Sequence, residues 1–377
     1  MSATNQAGTV PCRVLVCDDQ PDVLEAMRLL LKGNGYQAST VDSPRALLEA
    51  ARSEPFDIIL ADLNYTRDTT SGKEGLDLLA SLDAQGSHAP VIVMTAWGSV
   101  DLAVEAMRRG ACDFIQKPWD NDKVIAAIRK QTESERRRKS ELEIAANVQQ
   151  KLLPHGQRHL STVDYAGQCL AAREIGGDYY DFLNVSENSV GFVLGDVSGK
   201  GVPAALLMAN LQAYFRSQNQ GTLSEPSRLL LSVNRHFYDS TPAERFATLF
   251  YGVYDDRTRR LRYVNCGHVP PFLRRASGEV ESLEPTATPI GAFRQWRCHE
   301  VEVSLGAGDR LVIYSDGVTE AGIDEGEEFG EERLIRLLGR RPEESAESLV
   351  QSIVDEVVSF SDRDRHDDVT AVCVTCQ

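Results

Sequence analysis

The stretch Arg13-Val-Leu-Val-Cys17-Asp18-Asp19 decides the fold of the first third of the chain, because it joins a short apolar run to two carboxylates. Helical spacing and further short apolar runs then alternate along the sequence. They predict strands over 13–17, 37–41, 56–61, 90–95 and 113–116, with helices over 21–32, 44–51, 75–82 and 99–109 between them. This alternation is typical of a doubly wound parallel sheet, so we expect an α/β domain over 11–128, after a tail of residues 1–10.

Polar side chains follow several of these strands at the point where each strand ends. Asp18 and Asp19 end the first strand, and Asp62 ends the third. In a doubly wound sheet these ends meet at one crevice, where carboxylates ~5 Å apart repel by about 3 kcal/mol per pair at an effective dielectric of 20. A cation relieves that repulsion, and all-oxygen ligation suits Mg²⁺. Thr95 and Lys117 reach the same crevice, so Asp62 is placed to act as a nucleophile on a phosphoryl donor.

These residues, together with Phe114 and Lys117-Pro118, resemble the response-regulator receiver domain. The resemblance implies phosphorylation of Asp62 by a partner histidine kinase and a switch formed by Thr95, Phe114 and Lys117. It also implies a Mg²⁺ ion bound by Asp18, Asp19, Asp62 and Asn64. The loop over 64–74 is longer than the turn that commonly follows the acceptor. We expect this loop to alter kinase choice or phosphate lifetime without abolishing phosphorylation.

Four acidic motifs are spread over the second half of the chain: Glu174-Ile-Gly-Gly-Asp178, Gly195-Asp196-Val-Ser-Gly-Lys-Gly201, Tyr314-Ser-Asp316-Gly317 and His366-Asp367-Asp368-Val-Thr370. Asp196 and Asp316 each follow an apolar run, as expected of a strand that delivers a carboxylate at its tip. Neighbouring carboxylates again require cations, and oxygen ligands favour Mg²⁺ or Mn²⁺. Two such ions can activate a bridging water and hold a phosphate in line. Any single motif is equally consistent with an ordinary turn.

The four motifs together resemble the PPM family of metal-dependent serine/threonine phosphatases, in its SpoIIE/RsbU-like branch. Gln149-Gln-Lys-Leu-Leu-Pro154 and Asn265-Cys-Gly-His-Val-Pro270 add to the resemblance, which covers the end of the linker and residues 156–377. It implies an αββα sandwich with two metal ions. Their ligands would be Asp196, which bridges both ions, the carbonyl of Val197, and Asp178, Asp316 and Asp367. It further implies Arg173 as a phosphate-binding residue beside catalytic Asp178 and Asp196, whereas Asn265 and His268 are expected to shape a turn.

The segment over 129–155 is rich in charged residues, which favours a solvent-exposed helical linker. We expect the helix itself to begin at Asn121 and to end at about Leu153. Apolar residues occupy a and d positions of one heptad frame only near its ends, at Val124, Ile128, Leu142, Ala145 and Leu152. Two interpretations stay open. Short seams at the ends could join two chains in a homodimer, or the helix could be a simple spacer.

Composition narrows the functional class. Lys and Arg total 40 and Asp and Glu total 56, which gives a formal net charge of −16 in 377 residues. This balance disfavours nucleic acid and membrane surfaces as partners. Without a long apolar run or a signal peptide, we expect a soluble cytoplasmic protein with reduced cysteines. Cys373 and Cys376 lie on a predicted strand, where they would point to opposite faces.

Together these features predict a two-component response regulator that controls a metal-dependent protein phosphatase. The resemblance implies a phosphorylated anti-anti-sigma (STAS) protein as substrate. The alternative is a catalytically weak adaptor that binds and sequesters a regulatory protein, although all four ligand carboxylates are present. A nucleic-acid-binding regulator is the third hypothesis, and the acidic charge counts against it.

Overall fold

The computed structural model describes residues 11–65, 73–84, 89–96, 100–154, 160–323, 326–340, 344–361 and 367–377. Most of the long loop after Asp62, the tail over 1–10 and His366 lie outside these described residues. By its internal contacts the chain divides into two units, Met1–Glu141 and Leu142–Gln377. Among the described helices, none combines the length and the apolar character that a membrane span requires.

The first unit contains a five-stranded parallel sheet in the order β2-β1-β3-β4-β5. Its strands are β1 Arg13–Cys17, β2 Gln37–Val41, β3 Ile58–Asp62, β4 Val91–Ala96 and β5 Asp113–Lys117. Its helices are α1 Pro21–Gly33, α2 Pro44–Ser53, α3 Lys73–Ala84, α4 Val100–Arg108 and α5 Asn121–Gln150. Successive residues of the central strands enter two separate cores, which explains their continuous apolar runs. The predicted doubly wound fold is confirmed.

Helix α5 begins inside the first unit and continues beyond it. Val124 and Ile128 are fully buried and belong to one of the two cores beside the parallel sheet. The interpretation in which these two residues pair with a second chain is therefore wrong, because their own domain already covers them. At the other end of the helix, Leu142 and Ala145 are half-buried, and the exposed apolar side chains are Ile144 and Val148.

The second unit consists of two antiparallel five-stranded sheets, β13-β10-β9-β8-β7 and β12-β11-β14-β15-β6. Its strands are β6 Val163–Leu170, β7 Tyr179–Ser186, β8 Ser189–Val197, β9 Ala247–Asp255, β10 Arg260–Cys266, β11 Phe272–Arg274, β12 Val280–Ser282, β13 Val301–Ser304, β14 Arg310–Tyr314 and β15 Val369–Cys376. Its helices are α6 Val202–Arg216, α7 Gln220–Leu223, α8 Pro226–Ser240, α9 Asp316–Thr319, α10 Gly330–Arg340 and α11 Ala346–Phe360.

Three apolar cores hold these layers together. One lies between the two sheets and joins Phe192 and Phe250 to Val372. A second joins the first sheet to α6 and α8, and a third joins the other sheet to α10 and α11. The unit is thus an αββα sandwich, as predicted. Cys373 and Cys376 are both buried and belong to different cores, which confirms that they point to opposite faces of β15.

Helix α11 was not predicted from the sequence. Its Val- and Ile-rich composition is more typical of a strand than of a helix. Two signals do mark it: the Ser345 side chain accepts a hydrogen bond from the Ser348 backbone N–H as an N-cap, and buried residues recur at Leu349, Val350, Ile353, Val354 and Val357.

Candidate functional sites

The crevice of the first unit brings together the predicted carboxylates. Asp18, Asp19 and Asp62 each offer an oxygen, and these three oxygens lie within 4.8 Å of one another. Lys117 Nζ lies 2.8 Å from Asp62 Oδ2 and 2.5 Å from Asp18 Oδ2. Burial raises the pKa of Asp62, and hydrogen bonds from Lys117 oppose that rise. Burial would lower the pKa of Lys117, but its two carboxylate partners outweigh burial and the pKa is raised.

The other predicted receiver residues surround this group. Thr95 is buried near the end of β4, the strand that neighbours β3 and β5. Asn64 donates its backbone N–H to Asp62 Oδ1 at 3.3 Å, and its buried Oδ1 has no hydrogen-bond partner among the described residues. The site thus has an excess of oxygen acceptors, as a bound hard cation requires. Phe114 is different, because half of its surface is exposed on β5.

The second unit delivers four aspartates from four separate segments. Asp196 is the next-to-last residue of β8, and Asp316 begins α9 two residues after β14 ends. Asp178 directly precedes β7, and Asp367 lies two residues before β15. These side chains repel one another in a partly desolvated place. Burial, followed by the charges of Asp316, Asp367 and Asp368, raises the pKa of Asp196 to about 7. Burial and neighbouring carboxylates also raise the pKa values of Asp178 and Asp316.

Asp368 holds the loop that carries Asp178. Its carboxylate accepts hydrogen bonds from the backbone N–H groups of Ala172, Gly177 and Asp178 at 2.8, 2.7 and 3.3 Å. A Cβ at Gly176 would lie 2.2 Å from Asp368 Oδ2, so this close approach requires glycine there. Asp178 Oδ2 in turn accepts from Thr370 Oγ1 at 2.5 Å. Asp368 is therefore a structural anchor, and Asp367 is the member of the pair whose charge acts on both Asp196 and Asp316.

Two basic residues at this site were missed by sequence reasoning. Lys200 Nζ lies 3.0 Å from Asp367 Oδ2, and its charge partly opposes the rise in the pKa values of Asp196 and Asp316. Arg245 donates from Nη1 to the carbonyl of Ser198 at 2.6 Å and so fixes the loop after Asp196. The position of Lys200 within the Asp196 motif was a usable signal, whereas nothing in the sequence around Arg245 marks it.

A family model described as Stage II sporulation protein E (SpoIIE) matches residues 186–377, which is half of the chain. The chain belongs to this family. A second family model, described as the response regulator receiver domain, matches residues 14–129. The chain thus joins a receiver domain to a SpoIIE-type PPM phosphatase domain.

Individual relatives agree with this division. The chain is 33% identical over 236 residues to the phosphoserine phosphatase RsbU of Bacillus subtilis, covering 62% of this chain and 69% of RsbU. It is 41% identical over 116 residues to the transcriptional regulatory protein FixJ of Azorhizobium caulinodans, covering 31% of this chain and 53% of FixJ. The SiaA-PP2C domain of Pseudomonas aeruginosa has the same fold, with a TM-score of 0.54 at 19% identity over 64% of this chain and 97% of that domain.

The end of helix α5 contacts the SpoIIE-type domain close to the aspartates of that domain. Gln149 donates from Nε2 to the carbonyl of Gly176 at 2.8 Å, and its Oε1 accepts from the Gly176 backbone N–H at 3.0 Å. Gly176 lies two residues before Asp178. Arg173 is exposed and lines, with Gln149, Gly176 and Asp178, a cavity of about 260 Å³. The predicted phosphate-binding Arg173 is therefore on the same loop and cavity as Asp178.

His268 is buried in the SpoIIE-type domain and contacts a strand residue that is paired with Asp196. Its backbone N–H donates to Asn265 Oδ1 at 2.8 Å, which confirms the expected turn. Its Nδ1 lies 2.9 Å from Thr248 Oγ1, and Thr248 is paired with Asp196 across β8 and β9. Burial lowers the pKa of His268 to about 4, so the ring is neutral at physiological pH.

Proposed function

We propose that this chain is a response regulator whose receiver domain, phosphorylated on Asp62, controls a metal-dependent protein serine/threonine phosphatase. The observation that carries the proposal is the meeting of Asp178, Asp196, Asp316 and Asp367 from four segments of the SpoIIE-type domain. So much negative charge in a half-buried place is unfavourable unless cations or protons neutralise it. Retention of all four carboxylates favours catalysis over the adaptor function.

The donor set fits two hard divalent cations. Asp196, with a raised pKa and carboxylates around it, would bridge them, and the Val197 carbonyl with Asp178, Asp316 and Asp367 would complete their protein ligands. A Cβ at Gly177 would lie 2.9 Å from the Val197 carbonyl oxygen, which therefore faces the Asp178 loop. Mn²⁺ or Mg²⁺ bound there would lower the pKa of bound water and stabilise the charge of a phosphate.

The side chains of this domain then have distinct tasks. Asp368 and Thr370 orient Asp178, because they fix its backbone and one of its oxygens. Arg173 would hold two phosphate oxygens with its guanidinium group. His268 supports the β-strand beside Asp196 and, being neutral, adds no charge to the site.

In the receiver, Asp62 would attack the phosphorus atom of a phosphohistidine on a partner kinase. An O–P bond forms at Asp62 as the P–N bond to histidine breaks. Lys117 already donates to Asp62 and would stabilise the added phosphoryl charge, while Asp18, Asp19 and Asn64 would help to bind Mg²⁺. Thr95 and Phe114 would change conformation on phosphorylation, since Thr95 is buried near the end of β4 and half of the Phe114 surface is exposed.

Helix α5 provides the connection between the two activities. Its Gln149 binds both backbone polar groups of Gly176, so a displacement of the helix end would move the loop that carries Asp178. Pairing of two chains through phosphorylated receivers or through the exposed Ile144 and Val148 could produce that displacement. Phosphorylation shifts such an equilibrium only by its differential stabilisation of the two states.

We propose a phosphoserine protein with a STAS domain as substrate, supported by the similarity to the phosphoserine phosphatase RsbU. The test is Mn²⁺-dependent hydrolysis of p-nitrophenyl phosphate and of a serine-phosphorylated STAS protein from the same genome. We expect both to be hydrolysed by the full chain and neither by Asp316→Asn. Tight binding of the STAS protein without hydrolysis of either compound would instead support the adaptor function.

A further inference from the structure

Lys200 extends into the group of aspartates from the loop between β8 and α6. Its ammonium lies 3.0 Å from Asp367 Oδ2, with 37% of the Lys200 side chain and 33% of the Asp367 side chain exposed. Two glycines flank it, Gly199 at φ +94° and Gly201 at φ +71°. The ammonium is thus a protein cation placed on a carboxylate that the proposed function assigns to a metal ion.

We propose that Lys200 is a phosphate-binding residue that Asp367 holds in the metal-free site. This inference rests on the proposed function of the aspartates. A carboxylate oxygen that accepts an ammonium group is less available to a divalent cation, so the two cations compete for Asp367. When Asp367 binds the divalent cation, the ammonium of Lys200 is released to the phosphate of the substrate, where its three donors find new acceptors.

The surroundings of Lys200 allow its side chain to move while the backbone stays in place. Ser198 is held by Phe246, the residue before β9, because its backbone N–H donates to the Phe246 carbonyl at 2.9 Å and its Oγ accepts from the Phe246 N–H at 3.0 Å. Arg245 holds the Ser198 carbonyl, and a Cβ at Gly199 would collide with its guanidinium group. The four-carbon stem of Lys200 therefore provides the motion, over a distance that a side-chain rotation can cover.

If Lys200 moves from Asp367 to phosphate when metal binds, removing its ammonium should change metal binding and phosphate binding in opposite directions. Loss of the ammonium removes a competitor from Asp367, so metal binding becomes tighter. The same loss removes a charge-assisted hydrogen bond to phosphate, so phosphate binding becomes weaker. A purely structural role of Lys200 in ordering the loop predicts that both kinds of binding weaken together.

The experiment compares the full-length wild type with Lys200→Gln, Lys200→Arg and the control Arg228→Gln, which removes an exposed positive charge from α8. Calorimetry measures the Kd for Mn²⁺, and inhibition of p-nitrophenyl phosphate hydrolysis measures the binding of inorganic phosphate. We expect Lys200→Gln to bind Mn²⁺ about three- to fivefold more tightly, as an exposed ion pair suggests. We expect it to bind phosphate about 10-fold more weakly or worse. Lys200→Arg should retain phosphate binding within about threefold.

Either of two results would overturn the inference: unchanged or weaker Mn²⁺ binding by Lys200→Gln, or unchanged phosphate inhibition. Equal changes in Arg228→Gln would also overturn it, because the effect would then be one of net charge. Failure of the proposed function is distinguishable, since it would appear as absence of Mn²⁺-dependent hydrolysis in the wild type itself.

Discussion

The two acidic sites of this chain solve the same electrostatic problem differently. In the receiver, three carboxylate oxygens lie within 4.8 Å of one another, and Lys117 binds two of the carboxylates from within the protein. The aspartates of the SpoIIE-type domain form no such tight group of three among the described residues, and Lys200 forms an ion pair with Asp367 there. The pKa of Asp196 accordingly reaches about 7.

This difference corresponds to two kinds of chemistry. A compact crevice with its own ammonium suits one ion and one carboxylate nucleophile, which is itself modified. A wider group of aspartates, with less compensation from the protein, suits two ions and a water nucleophile, so that the protein remains unmodified after each turnover.

Replacing Asp196, which lies among the aspartates of the SpoIIE-type domain, should have the largest effect on hydrolysis. Asp196→Asn should lower Mn²⁺-dependent hydrolysis of p-nitrophenyl phosphate by at least about 10³-fold, because it removes the carboxylate that we propose as the bridging metal ligand. In EDTA at pH 8 the same variant should be more stable than the wild type by on the order of 1 kcal/mol, because a repelled charge is removed. Denaturant unfolding measures that stability. Full Mn²⁺-dependent turnover by the variant would contradict the dinuclear assignment.

Removing the nucleophile of the receiver should abolish its modification. With acetyl phosphate and Mg²⁺, mass spectrometry should find one phosphoryl group on the wild type and none on Asp62→Asn. Lys117→Met should also lose most of the modification, since it removes the ammonium that contacts Asp62. The same added mass on Asp62→Asn would show that the acceptor lies elsewhere.

Stability should depend on pH and metal together. The pKa of Asp196 is about 7 in the folded state against an ordinary value of 3.8, so the folded protein retains a proton that the unfolded chain has lost. Metal-free stability therefore decreases as the pH rises from about 4 to 7. A bound cation displaces these protons, so the increase in Tm caused by Mn²⁺ should grow between pH 5 and pH 8. An increase in Tm that is independent of pH would contradict the assigned ligands.

Loss of the contact between α5 and the Asp178 loop should have the smallest effect on hydrolysis. Gln149→Ala should lower basal hydrolysis of p-nitrophenyl phosphate by about 3- to 10-fold, because two hydrogen bonds to Gly176 are lost. It should also reduce the response of hydrolysis to beryllofluoride, a phosphoryl mimic at Asp62. The adjacent Gln150→Ala is the matched control and should behave like the wild type. Identical behaviour of both variants would remove this contact from the signalling route.

Much of this architecture was predictable because its signals are local. Apolar runs that end in Asp18, Asp62, Asp196 or Asp316 mark strand tips wherever the strands lie in the sheet. The heptad frame of the linker was less informative, since Val124 and Ile128 serve the core of their own domain rather than a second chain. Periodicity shows that a helix has an apolar face but does not show what covers it.

The supporting contacts could not be predicted, because their partners are distant in the sequence. Asp368 anchors Gly177 across 191 residues, and Arg245 fixes Ser198 across 47. Such pairs depend on how the strands are ordered in the two sheets, which no local pattern specifies. Lys200 is intermediate, since its motif was visible but the direction of its side chain toward Asp367 was not.

The most direct test of the account is the response of the phosphatase to the state of Asp62. Dephosphorylation of a serine-phosphorylated STAS protein by the full chain with Mn²⁺ should be measured with and without beryllofluoride, for the wild type and for Asp62→Asn. We predict that beryllofluoride changes the wild-type rate by about 100-fold, as expected for a differential stabilisation of ~3 kcal/mol, and leaves Asp62→Asn unchanged. Equal rates for the wild type with and without beryllofluoride would contradict control of the phosphatase by the receiver.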